Sequence, residues 1–238
     1  MIRGILLSLF VSVAAFAESP FEEAAALYDQ GDFSGALTTY QAIEGQSSAL
    51  DYNIGNTLMR LEQTPEAIAY YRRALWQSPS DPDIRANLER AVDQTDTAMP
   101  PLPLYRKLSG FLKAEQWQLG FIISCWIFAG LGMLRFKIEA LRNASAWIFP
   151  LLTLILLVLG AGVWASMPSA YASEAIIKPV EAITRFEPLP DATEHFTLPQ
   201  GSVVKITDQN RNWYKISALD EQGWVPADQL ILLKELGE

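Results

Sequence analysis

The sequence predicts a multidomain chain: all-α helical repeats, a two-helix transmembrane hairpin, then a small all-β barrel. Three observations predict it. A block of small and large side chains recurs in the N-terminal third. Two long runs in the middle carry no charge. The C-terminal third alternates polar and apolar residues with a period of two. Charge divides the chain in the same places. Residues 18–100 carry 14 acidic and 5 basic side chains, residues 173–238 carry 11 and 6, and residues 101–172 carry 2 and 6. The net charge of −9 therefore belongs to the two flanking domains. Acidic domains exclude nucleic acid as a partner, because phosphate binding needs a basic face.

The N-terminus, residues 1–17, reads as a signal peptide. Arg3 is followed by an apolar run from Ile5 to Phe16, and Ala15-Phe16-Ala17 is a small-x-small cleavage site. Cleavage and retention as an anchor both place residue 18 onward outside the cytoplasm. Cys125 is the single cysteine, so no disulfide is available to the exported parts.

The uncharged runs are Trp117 to Leu134 and Ala146 to Met167, of 18 and 22 residues. A bilayer core about 30 Å thick needs about 20 apolar residues as a helix. Trp117, Trp147 and Trp164 fall near the run ends, where indole rings prefer the headgroup level. Pro150 is placed in the first turn of the second helix, where its missing N–H costs little. Gly130 with Gly132, or Gly160 with Gly162, are candidate helix-packing sites. The loop 135–145 holds Arg135, Lys137 and Arg142 against Glu139, which predicts a cytoplasmic loop with both flanking domains outside. Arg106, Lys107 and Lys113 lie on the other side. Leu104 to Ala114 is read as an amphipathic helix on the outer leaflet, its lysines toward headgroups, within a linker and interfacial segment 100–116.

In residues 18–99, Ala36 and Tyr40 align with Ala67 and Tyr71 at a spacing of 31. Tyr52-Asn53-Ile54-Gly55-Asn56-Thr57-Leu58 precedes the second block, and Pro79 stops it. Residues 83–92 are a third first-helix that caps the stack. These residues resemble the tetratricopeptide (TPR) family, with Gly55 and Ala67 as the small contacts between two antiparallel helices. The resemblance implies a concave groove that binds peptides, formed by Tyr52, Asn53, Asn56, Arg60, Asn87 and Arg90. Asn56 and Asn87 resemble an asparagine pair that grips a ligand backbone, since a carboxamide both donates and accepts. The alternative is that they face water or neighbouring helices. Basic residues that clamp a terminal carboxylate in some relatives are not reproduced, and Tyr52 stands where a lysine would be.

In residues 173–238, Val203 to Ile206, Trp213 to Ile216 and Gly223 to Pro226 alternate, with turn residues between them. Leu198-Pro199-Gln200-Gly201, Asn212-Trp213-Tyr214-Lys215-Ile216 and Gly223-Trp224-Val225-Pro226 resemble the bacterial SH3-like family. Residues 177–183 are its expected first strand and 185–195 its irregular loop. The resemblance implies a ligand surface at Phe186, Trp213 and Tyr214, with Trp224 in the core. His195, the only histidine, reads as a solvated loop residue.

No catalytic set is legible, since a nucleophile needs a base and an orienting group. No metal site or cofactor motif is legible either, so the chain reads as a non-enzyme. The order of parts is similar to the TPR protein of the aerotolerance (Bat) operon. That resemblance implies a scaffold at the bacterial inner membrane, its TPR and SH3-like domains periplasmic. Its partners would be protein or peptide ligands, among them von Willebrand factor A-type membrane proteins and an AAA-type ATPase. The alternative is a cell-wall sensor or anchor that binds peptidoglycan peptides through the SH3-like domain.

Overall fold

The computed structural model describes residues 19–95, 97–218 and 220–236. The expected signal peptide lies outside them. Five helices come first: α1 (Pro20–Asp29), α2 (Phe33–Gln41), α3 (Ser48–Arg60), α4 (Thr64–Gln77) and α5 (Pro82–Val92). Local chemistry sets their ends. Ser19 and Glu22 form a reciprocal capping box on α1, and Asp32, Ser47 and Asp81 cap α2, α3 and α5. Proline occupies the first turn of α1, α4 and α5, where the lost N–H had no helical partner. The aligned residues of the repeat share a fate: Ala36 and Ala67 are fully buried, and Tyr40 and Tyr71 nearly so. Gly55 is there for contact. A Cβ on it would lie 2.6 Å from the Tyr71 ring, so α3 and α4 approach more closely than alanine allows.

Two long helices follow a short one. The stretch expected to be one amphipathic helix over 104–114 is instead α6 (Leu104–Ser109), a break, and the start of α7 (Ala114–Leu134). The last, α8 (Glu139–Ala165), starts seven residues earlier than the uncharged run. The connecting loop therefore shrinks from 135–145 to Arg135–Ile138, and Arg142 sits on the helix. Pro150 is corrected too: it lies inside α8, where it removes the N–H that would bond the Ala146 carbonyl. Both α7 and α8 are long and apolar enough to cross a membrane, with 0% and 6% of their most apolar windows buried by protein. They pack on each other through Gly160 and Gly162. A Cβ at Gly162 would overlap the Trp117 ring, whereas one at Gly130 would meet nothing. Cys125 is exposed on α7.

The C-terminal part is one antiparallel sheet: β1 (Glu174–Ile177), β2 (Glu181–Arg185), β3 (Glu194–Pro199), β4 (Val203–Asn210), β5 (Trp213–Ala218), β6 (Glu221–Pro226) and β7 (Leu230–Leu232). Their order is β3-β2-β6-β5-β4-β1-β7. The sheet is open, its edges β3 and β7 unpaired with each other, where a barrel was expected. The expected first strand divides at Lys178-Pro179-Val180: β1 pairs with β4 and β7, while β2 pairs with β3 and β6. Alternation corrects two side chains. Tyr214 and Ile216 on β5, with Val225 on β6, point into the core, and Tyr214 is 7% exposed. Trp213 and Trp224 occupy the opposite parity and are only half-buried.

Helices and sheet join along α4, which contacts β1, β7 and the turns at Pro168–Ser173 and Leu233–Glu235. Two adjacent arginines make the joint. Arg72 donates Nε and Nη2 to Glu174 at 2.8 and 2.9 Å and Nη1 to the Pro100 carbonyl at 2.9 Å. Trp76 Nε1 donates to the same carboxylate at 2.8 Å. Arg73 holds Asp51 of α3 with two bonds, Gln77 adds a third at 2.7 Å, and the other Arg73 branch donates to the Leu236 carbonyl. Burial pushes the Asp51 carboxyl up, against the pull of Arg73 and Gln77. The linker takes part: Leu102 is buried in the helical core and Met99 packs against it.

Candidate functional site

The strong contacts of the sheet fall on α4, which leaves α3 and α5 to form the opposite face. On α3, Tyr52, Asn53, Asn56 and Arg60 recur at helical spacing, and on α5 Asn87 and Arg90 do the same. Four of these six residues meet. Asn56 Oδ1 accepts from Tyr71 Oη at 2.7 Å and from Asn87 Nδ2 at 2.8 Å. Asn87 Nδ2 also donates to Tyr52 Oη at 3.0 Å, and Arg90 Nη1 donates to Asn87 Oδ1 at 2.5 Å.

The other two stand apart. The Arg60 guanidinium lies 4.5 Å over the Phe33 ring, turned toward α2. The Asn53 backbone carbonyl accepts from Thr57 Oγ1 at 2.7 Å, and among the described residues its side chain makes no bond. Tyr71, a repeat position outside the six, joins the network through its hydroxyl. Its signal was available: a buried tyrosine ring brings a hydroxyl that needs a partner. Burial, with Tyr52 and Tyr28 nearby, lifts that hydroxyl well above the usual tyrosine range, so it stays a donor.

Counting hydrogen-bond capacity shows what the network can still do. Both lone pairs of Asn56 Oδ1 are taken, but its amide N–H groups make no bond among the described residues. Asn87 is the reverse. Both its N–H groups are used, while Oδ1 has accepted one bond of two. The pair thus keeps amide donors on Asn56 and one acceptor position on Asn87, the two kinds of group a peptide unit can use. Asn56 and Asn87 are half-buried and Arg60 and Arg90 exposed, so the face is reachable from solvent.

The three residues expected on the sheet surface do not form one site. Phe186 is exposed and stacks on His195, ring centres 4.0 Å apart. Tyr214 is in the core. Trp213 alone borders a cleft, about 680 Å³ in volume, between Glu187-Pro188-Leu189-Pro190 and Asn210-Arg211-Asn212. Among the described residues, no three of His, Cys, Asp and Glu come together to hold a metal ion. Comparison of the chain with protein-family models, with curated proteins and with solved structures finds no match.

Proposed function

We propose that this protein is a membrane-anchored scaffold, not an enzyme, that docks protein or peptide segments on the face shared by α3 and α5. The observation that carries the reading is the half-buried, half-used Asn56–Asn87 pair, in which the Asn56 amide N–H groups and one Asn87 acceptor position are unused among the described residues. Two further features support it. The repeated Ala36/Tyr40 and Ala67/Tyr71 pairs are buried alike, as the TPR resemblance expects, and the strand motifs that resemble SH3-like domains lie in one antiparallel sheet. The two spanning helices would tether both at the bacterial inner membrane on the periplasmic side, as in the TPR proteins of aerotolerance operons. Partners on that reading are von Willebrand factor A-type membrane proteins, with an AAA-type ATPase in the system.

Crosslinked pull-down from membranes tests this, using wild type and Asn56→Ala/Asn87→Ala. Capture of von Willebrand-type partners by wild type and their loss in the variant supports the scaffold. Unchanged capture in the variant removes the groove from the account.

A second reading is favoured by the Trp213 cleft: a cell-wall sensor that binds peptidoglycan peptides there. It predicts that the full chain in detergent sediments with purified wall and that Trp213→Ala does not.

A further inference from the structure

The segment between the helical repeats and the first span is held rigidly at the ends of both spanning helices. Arg106 is buried and donates to the carbonyls of Trp76, at the end of α4, and of Ala165, at the end of α8, the latter at 2.7 Å. Trp117 Nε1 of α7 donates to the Ser109 carbonyl at 2.8 Å. Tyr105 packs on Trp164 with ring centres 5.5 Å apart. The Arg106 guanidinium is thus committed to protein carbonyls.

Two kinds of side chain remain uncommitted there. Leu104, Leu108 and Phe111 are 70%, 51% and 78% exposed. Lys107 and Lys113 are exposed and form no ion pair among the described residues. Lys107 borders one cleft, which Glu89 and Asp93 also line. Lys113 borders another, of about 230 Å³, lined also by Gly110, Ser80, Ser109 and Ser166, whose hydroxyls each donate to a backbone carbonyl. Asp81 also lines it, but its carboxylate is engaged by the Asp83 and Ile84 amides.

The occupant must suit both sets. A water-soluble anion would satisfy the lysines and leave Leu104, Leu108 and Phe111 in water. A zwitterionic lipid would cover the apolar groups, but its own cation offsets the phosphate that meets the lysines and leaves their charge uncompensated. We infer that residues 104–113 form a foot that binds anionic phospholipid, its phosphate on Lys107 and Lys113 and its acyl region against Leu104, Leu108 and Phe111. The rest of the helical domain, with 14 acidic and 5 basic residues over 18–100, is repelled by such a leaflet. The foot therefore fixes which edge of the domain meets the membrane. This inference needs the spans to sit in a bilayer and is independent of peptide binding by α3 and α5, so each can fail alone.

The test uses the full chain in neutral detergent, with phosphatidylglycerol and phosphatidylcholine offered together and retained lipid read by native mass spectrometry. Wild type should retain phosphatidylglycerol preferentially. A lysine near an anionic surface is worth about fivefold, so Lys107→Gln/Lys113→Gln should cut the preference about thirtyfold. Arg135→Gln/Lys137→Gln, at the opposite ends of the spans, should keep the part that the foot supplies. Both variant pairs are exposed, and an unchanged melting temperature confirms folding. Equal retention of the two lipids by wild type overturns the inference. So does a preference that survives at the foot and disappears with the opposite loop.

Discussion

The two faces of the helical domain use their polar residues in opposite ways. Behind α4, Arg72 and Arg73 are buried, charged and saturated by Glu174, Asp51 and backbone carbonyls. In front, Asn56 and Asn87 are neutral and half-buried, with hydrogen-bond capacity to spare. A buried charge must be matched completely, because low dielectric penalises any unpaired group. A neutral amide at a surface tolerates an open valence that water fills until a ligand replaces it. The back face is therefore read as architecture and the front face as a site.

Breaking the back face should cost most. Arg73→Leu leaves Asp51 buried without its counter-ion, and about 3–5 kcal/mol of stability is lost. Asp51→Leu/Arg73→Leu should recover much of that in denaturant unfolding. Recovery separates a charge left unpaired from lost packing. At the junction of helices and sheet, Glu174→Ala frees Arg72 and Trp76 together and should cost about 2 kcal/mol. Its signature is earlier proteolytic release of the sheet from α4. Between α7 and α8, Gly162→Leu drives a side chain into Trp117 and should cost about 2 kcal/mol, read as a lower melting temperature in detergent.

Tyr71→Phe sharpens the comparison with a smaller effect, about 1 kcal/mol at neutral pH from the lost bond to Asn56. It also changes the alkaline limb. Burial raises the Tyr71 and Tyr70 hydroxyls above the 10.0 of free tyrosine. The unfolded chain ionises first, so stability is complete below pH 10 and falls as pH rises above it. Melting curves from pH 9 to 11 should show a shallower fall in Tyr71→Phe than in wild type.

What the sequence disclosed depended on how local the signal was. The Ala36/Ala67 repeat and Gly55 were legible because small and large residues at helical spacing specify a contact without knowledge of the partner. The sheet was legible as a period of two, but its parity was not respected when Trp213 and Tyr214 were placed on one surface. Neighbours on a strand face opposite sides, and Ile216 and Val225 decide that Tyr214 is the inner one. The buried arginines were not legible. Arg72 finds Glu174 102 residues away, and an Arg-Arg pair on a helix otherwise reads as solvated. The burial of Arg106 was not legible for the same reason, since its acceptors close helices 30 and 59 residues distant.

The central claim is that the open amide pair, not the saturated arginines, is where a ligand binds. A photoreactive residue at position 53 beside the pair tests it most directly, in membranes of wild type and of Asn56→Ala/Asn87→Ala. The account predicts a discrete adduct in wild type that disappears in the double variant, while the melting temperatures stay within a few degrees. An adduct that persists unchanged without the two asparagines would contradict it.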